Sequence, residues 1–260
     1  MTKTGILCSL CLLLALPLSG SGDEFPERFS RDTAGALNEF GCLRPLPPSG
    51  DGPKRLVMGD SNGLLHVYEE RDGAFEEIWV SDYLEGAISG LDVVDVNDDE
   101  LLEIVVFTDR GRLHYFDIQE YNTLWSNPPT EYGKITAQTI RNIDDDPQPE
   151  LIFCAAGRLI IFDGRDQFEE WRSDEENFAT TDILVADIDG DDEDEIVLND
   201  GYVFDARFHT LEWQSPESFG ERMGVLDIDD DGIMELIGEF NGRFLRIFDI
   251  DLRREKSLKP

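Results

Sequence analysis

The chain has 260 residues, 57 Asp and Glu against 22 Lys and Arg, a formal net charge of −35, 40% hydrophobic residues and four cysteines. This length fits one domain with short flanking segments, and the charge sets nucleic-acid phosphate and anionic lipid against it by like-charge repulsion. Sixteen Phe, six Tyr and four Trp exclude an acidic disordered tail, so the acid decorates a packed core and its natural counterpart is a cation.

Lys3, an apolar run over residues 6–18 and Ser19-Gly20-Ser21-Gly22 read together as a signal peptide over residues 1–22. The apolar run is shorter than the roughly 20 residues that a spanning helix needs, and no second such run follows. A secreted or periplasmic/extracellular protein without membrane insertion is expected, and Cys8 and Cys11 leave with the signal. Residues 23–48 form an N-terminal segment with a short helix expected around Ala34 to Phe40, a candidate for closing a ring of repeats. Cys42 lies in that segment and Cys154 in an apolar run, and both read as small buried side chains rather than a disulfide.

From residue 49 to 260 the chain is dominated by a repeat. Asp95-Val-Asn97-Asp-Asp99-Glu-Leu-Leu-Glu103 recurs as Asn142-Ile-Asp144-Asp-Asp146-Pro-Gln-Pro-Glu150, as Asp187-Ile-Asp189-Gly-Asp191-Asp-Glu-Asp-Glu195 and as Asp227-Ile-Asp229-Asp-Asp231-Gly-Ile-Met-Glu235, at spacings of 47, 45 and 40 residues. A degraded copy, Ser49 to Val57, precedes them and has lost most of its acids. Each copy continues through an apolar run, a Gly-containing turn such as Asn62-Gly63 or Asp200-Gly201, and a second run ending in an aromatic and usually an acid. A further run carries Trp79, Trp125, Trp171 or Trp213, and the fifth copy has none. With the run before each acidic loop, a repeat holds four short strands. Four antiparallel strands per roughly 45 residues predict an all-β fold, a β-propeller of about five four-stranded blades. Helical solenoids are excluded because the runs are short, β-branched and bounded by Gly, Pro and Asp.

The pattern Asp-x-Asp/Asn-x-Asp-x-x-x-Glu between the first two strands of a blade resembles the FG-GAP/VCBS repeat family, whose best-known propellers are the integrin α-subunit heads. The resemblance covers roughly residues 49–250. It is specific in the Asp187 and Asp227 copies and looser in the Asp95 and Asn142 copies, where Glu100 and Pro147 stand in place of the turn glycine. The Phe-Gly and Gly-Ala-Pro stretches of integrins are absent.

Acids at positions 1, 3, 5 and 9 of a tight loop can turn their oxygens toward one point, which suits Ca²⁺ with its six to eight oxygen ligands. The windows 95–103, 142–150, 187–195 and 227–235 hold 5, 4, 7 and 5 acids and no Lys or Arg. Ca²⁺ is therefore the expected cofactor, with Asp95, Asn97, Asp99 and Glu103, Asn142, Asp144, Asp146 and Glu150, Asp187, Asp189, Asp191 and Glu195, and Asp227, Asp229, Asp231 and Glu235 as ligands. The Asp227 loop, with three alternate aspartates and Gly232, is expected to be the best formed, and the Asn142 loop, with a neutral first residue and two prolines, the weakest.

No Cys-x-x-Cys, His-Glu-x-x-His or Gly-x-Ser-x-Gly motif marks a reaction centre, and His66 and His114, at the same repeat position, read as outward strand residues. His209 reads as a solvated turn residue. The once-per-blade tryptophans suit packing between blades better than stacking on sugars. The expected function is an exported, monomeric, calcium-binding, non-enzymatic interaction scaffold for a protein or glycan ligand. A carbohydrate-binding lectin-like propeller, or less readily a glycan-active enzyme, is the alternative.

Overall fold

The structure is a computed structural model and describes residues 42–48 and 52–256. The signal-peptide stretch and the helix expected around residues 34–40 lie outside the described residues. Twenty strands form five antiparallel sheets, each of four consecutive strands. Blade 1 is β1 (Leu43–Leu46), β2 (Arg55–Gly59), β3 (Leu65–Arg71) and β4 (Ala74–Val80). Blade 2 is β5 (Ile88–Val94), β6 (Glu103–Thr108), β7 (Leu113–Asp117) and β8 (Thr123–Ser126). Blade 3 is β9 (Ile135–Arg141), β10 (Glu150–Ala155), β11 (Arg158–Asp163) and β12 (Phe168–Arg172). Blade 4 is β13 (Ile183–Ala186), β14 (Glu195–Leu198), β15 (Tyr202–Asp205) and β16 (Leu211–Gln214). Blade 5 is β17 (Arg222–Leu226), β18 (Glu235–Phe240), β19 (Phe244–Asp249) and β20 (Arg254–Lys256).

Two strands fall outside the span of roughly residues 49–250 over which the repeat pattern is recognisable. Residues 43–46, inside the 23–48 segment, are the inner strand of blade 1, paired with β2 and not with blade 5. Residues 254–256, past the last recognisable run of the repeat, are the outer strand of blade 5. Neither is flanked by the acidic loop or the tryptophan that mark the other copies.

The middle strands pair through tight turns where glycine supplies a positive φ. At Gly111 (φ 81°) an added Cβ would stand 2.4 Å from the Tyr132 carbonyl oxygen, so the turn also fits against the next blade only without a side chain. The inner strands β1, β5, β9, β13 and β17 lie side by side in that order. They are tied by Arg44 to Asp92 (3.0 Å), by Gln138 Nε2–H donating to the Ser89 carbonyl (2.9 Å) and by the Met223 N–H donating to Asp182 Oδ2 (2.8 Å).

The core is four apolar layers, one between each pair of successive blades. Val57, Leu65 and Val67 of blade 1 meet Leu91, Ile104, Val106 and Phe116 of blade 2, while Val105, Phe107 and Tyr115 meet Leu151, Phe153, Ile160 and Phe162 of blade 3. Ile152, Cys154 and Ile161 then meet Ile196, Leu198 and Phe204, and Val197 and Val203 meet Leu236 and Phe248. Fully burying one such side chain is worth about 1.5–3 kcal/mol, and in blades 2, 3 and 4 the two central strands are buried on both faces. In blade 1 they alternate between buried and half-buried, and in blade 5 Leu226 (56% exposed) and Leu245 (62%) lie open, because each end blade has a neighbour on one side alone among the described residues.

Each tryptophan belongs to this layering. Trp79 lies against Phe116 and Tyr121, Trp125 against Phe162, Trp171 against Phe204, and Trp213 against Phe219, always reaching toward the following blade. Directly after each Trp pairing the outer strand carries a β-bulge, in blades 1 to 4 alike. Blade 5 has neither the tryptophan nor the bulge.

His114 corrects the expectation that it faces outward. It is buried between blades 1 and 2, Nδ1 bonded to Ser126 Oγ (2.7 Å) and Nε2 to the Leu84 carbonyl (3.3 Å), and burial lowers its pKa. His66, at the same repeat position, faces the open side of blade 1 and bonds Glu77 (2.6 Å). His209 is half-buried with its ring against Trp171, so it is not a fully solvated turn residue. Cys42 and Cys154 are free buried thiols in different layers, each pushed up to about 12 by burial.

Candidate metal centre

Four acidic loops occupy the same connection, between the first and second strands of blades 2 to 5. Chain polarity and the pleat direct the last carboxylate of each inward. Glu103, Glu150, Glu195 and Glu235 open β6, β10, β14 and β18 and are buried. In every loop the Oε2 of this glutamate accepts the backbone N–H of the second loop residue, from Val96 (3.0 Å), Ile143 (2.8 Å), Ile188 (2.9 Å) and Ile228 (2.8 Å). One oxygen is thereby fixed by the backbone while the other faces the loop.

The first and fifth positions shape the loop itself. Asp95 accepts the N–H groups of Asp99 and Glu100, Asp187 those of Gly190 and Asp192, and Asp227 those of Asp231 and Gly232. Asp99, Asp146, Asp191 and Asp231 each accept the N–H two residues on, at 2.9–3.2 Å. In these three loops the fourth and sixth residues take positive φ: Asp98 and Glu100, Gly190 and Asp192, Asp230 and Gly232. The Asn142 loop does without them, since Pro147 at its sixth position has a fixed negative φ. Its first residue instead donates from Nδ2 to the Asp146 carbonyl (2.5 Å).

Three of the four loops bring carboxylates to a common point. Asp144, Asp146 and Glu150, then Asp187, Asp189 and Glu195, then Asp227, Asp229 and Glu235 each offer oxygens within 4.8 Å of one another. Of the remaining acids of those loops, Asp191 and Asp231 stand outside the three-acid groups. The blade 2 loop has no such group: its third residue is the neutral Asn97, whose Nδ2 donates to Glu103 Oε1 (3.5 Å), with Asp95 and Asp99 engaged by backbone N–H groups.

The electrostatics of these groups fit a cation. Burial, and then the neighbouring acids, push Glu103 up to about 7 and Glu150 and Glu195 up to about 8, with the backbone N–H groups that they accept acting the other way. Burial and the neighbouring acids likewise raise Asp146 and Asp189. Asp189 Oδ1 is buried without any hydrogen-bond partner. A carboxylate oxygen so placed costs free energy unless a cation or a donor meets it. An all-oxygen, anionic donor set of this kind suits a hard divalent ion such as Ca²⁺.

The sequence does not reveal which positive groups reach the loops. Arg207 of blade 4 pairs with Asp145 of the blade 3 loop, outside its converging oxygens. In blade 5 Lys256 reaches two of the converging carboxylates, with Nζ 2.5 Å from Asp229 Oδ2 and 2.7 Å from Glu235 Oε1. That contact holds Asp229 below the usual carboxylate range.

No protein-family model matches the chain, and no curated protein matches it. Solved structures do. The crystal structure of BBS1N in complex with ARL6DN is similar to 83% of this chain, at 13% identity and a TM-score of 0.58, and that of Saccharomyces cerevisiae Sqt1 to 84%, at 13% identity and a TM-score of 0.61. The fold is a β-propeller. The matched part amounts to 66% of the BBS1N chain and 60% of Sqt1, so this propeller spans no more than about two thirds of either. At this identity the likeness is one of fold.

Proposed function

We propose that the protein is an exported, calcium-binding propeller of the FG-GAP/VCBS type that serves as a non-enzymatic interaction scaffold. The observation that carries the calcium reading is the repeated buried glutamate. Its one oxygen is pinned by a backbone N–H and its other oxygen is turned toward loop aspartates, with Asp189 Oδ1 left without a donor. Asp144, Asp146 and Glu150 would hold one ion, Asp187, Asp189 and Glu195 a second, and Asp227, Asp229 and Glu235 a third, with Asp95, Asn97, Asp99 and Glu103 as a less charged fourth set. Bound Ca²⁺ supplies the positive charge that these carboxylates lack. The protein's part is to hold two strands of a blade at fixed separation through the loop and to keep the final glutamate dry.

The scaffold reading follows from the same arrangement: rigid blades, loops free to differ in sequence, and histidines engaged in packing or in strand-to-strand bonds. The matched BBS1N structure is a complex with another protein, which is the use proposed for this chain. The export reading rests on residues 1–22. Equilibrium dialysis of the purified protein against calcium tests the metal: binding of at least two equivalents is expected in the 0.1–1 mM range, roughly the affinity of extracellular calcium modules, and no bound calcium at 5–10 times that concentration, about the upper limit for such modules, contradicts it. Capture from the native medium or envelope in calcium and in chelator tests the scaffold, with a calcium-dependent partner as the expected result.

A further inference from the structure

We propose that Lys256 is the resident cation of the blade 5 acidic loop, and that a divalent ion enters this loop only by displacing it. The inference rests on the calcium reading above and concerns what distinguishes one loop from the others. The sequence ranks the Asp227 loop first by its ligands, yet it is the loop in which two of the converging carboxylates are already met by a positive group.

The cause lies in the end of the repeat. In blades 1 to 4 the residues that pair with Val67, Tyr115, Ile161 and Val203 are the tryptophans, and each indole is turned onto the blade that follows. The corresponding pairing in blade 5 is Ile247 with Lys256. No blade follows among the described residues, and a Cβ added at Gly224 on the inner strand would meet nothing within 4 Å. An indole there would be exposed, whereas a lysine can lay its stem along the sheet and carry its ammonium to the acids. Strand alternation puts Lys256, Ile247 and Glu235 on the same face, so the reach is short.

The contact is specific in its partners. Nζ meets Asp229 and Glu235, two of the three carboxylates that converge, and Glu235 is the buried one. Glu255, the neighbouring acid of β20, is drawn away by Arg246 (2.7 and 3.0 Å) and adds no charge to the loop. In blades 3 and 4 the outer strands do the opposite, since Glu170 and Glu212 stand within electrostatic reach of Asp144 and Asp146 and of Asp189 and Asp191. Those loops gain acid and blade 5 gains an ammonium. A divalent ion bound to Asp229 and Glu235 would sit where the ammonium is, and two positive charges at that separation repel strongly, so occupancy by one excludes the other. Calcium binding at blade 5 is thereby coupled to release of the end of β20.

Calorimetric calcium titration of the full chain and of Lys256→Gln tests the competition. The expected result is that Lys256→Gln binds calcium at one site at least about tenfold more tightly than the unmodified protein, since a single charge-assisted contact is already worth roughly that factor and Lys256 makes two. Adding Asp229→Asn to that variant should abolish the gain. Acetylation of the unmodified protein, followed by mass spectrometry, reads the contact directly. Lys256 should label more slowly than Lys54, whose side chain is 79% exposed, in chelator, and faster once calcium is added. Calcium binding that Lys256→Gln leaves unchanged overturns the competition alone. Absence of calcium binding to every version overturns the calcium reading and the competition together. Equal labelling of Lys256 and Lys54 in chelator shows that the ammonium is not held, whatever the metal does.

Discussion

His66 and His114 stand at one repeat position and meet different environments, carboxylates for His66 and a buried seam for His114, because a residue's face is set by the strand while its burial is set by whether a blade covers that face. His114 accepts from Ser126 at Nδ1 and donates to the Leu84 carbonyl from Nε2, an arrangement that suits the neutral ring. Its pKa is lowered by burial, so the unfolded chain takes the proton more readily. The sign follows: this residue's contribution to stability is full above the unfolded value of about 6.5 and declines as pH falls through it toward the lower folded value. An NMR titration should place the His114 midpoint below about 6.5, and a midpoint at or above that value would contradict its burial. The aspartates give a second expectation at this scale. Asp189, with an oxygen lacking any donor, depends on a metal more than Asp229, which has Lys256. With calcium at about ten times its dissociation constant, one site adds about 1.4 kcal/mol, or roughly 3–5 °C in a domain of this size. Asp189→Asn should remove most of that rise for its loop and Asp229→Asn little, as read by thermal unfolding with and without calcium.

At the scale of strands and loops, the acid spacing and the alternation of apolar residues were legible, because each repeat must turn a loop and bury two central strands by the same means. What was not legible has identifiable causes. Strands β1 and β20 have four and three residues, and no motif flanks them. The convergence of carboxylates depends on backbone φ, so the Asn142 loop, ranked weakest by its neutral first residue and its prolines, still gathers Asp144, Asp146 and Glu150 by another route. The tryptophans pack between blades, as their once-per-blade spacing predicts: Trp171 lies against Phe204 and His209 of the next blade. Trp171→Ala should therefore cost roughly 2–4 kcal/mol in denaturant unfolding, somewhat less than a fully buried aromatic because the indole is half-exposed. A cost below about 1 kcal/mol would mean that the layer between blades 3 and 4 closes without it.

For the whole molecule, the charge of −35 and the apolar layers are two sides of one design. The layers hold successive blades together, and the acid is concentrated in loops that repeat at one connection. The ends of the chain depart from the pattern in a consistent way: the first repeat lacks the acids, the last lacks the tryptophan, and the last loop carries its own ammonium. A calcium-stabilised propeller needs these loops to be cation sites rather than solvated turns. The most direct measurement is thermal unfolding of the unmodified protein in chelator and in millimolar Ca²⁺. Two or three filled loops should raise the midpoint by on the order of 10 °C. Identical midpoints in chelator and in calcium would contradict the account and leave the acidic loops as turns.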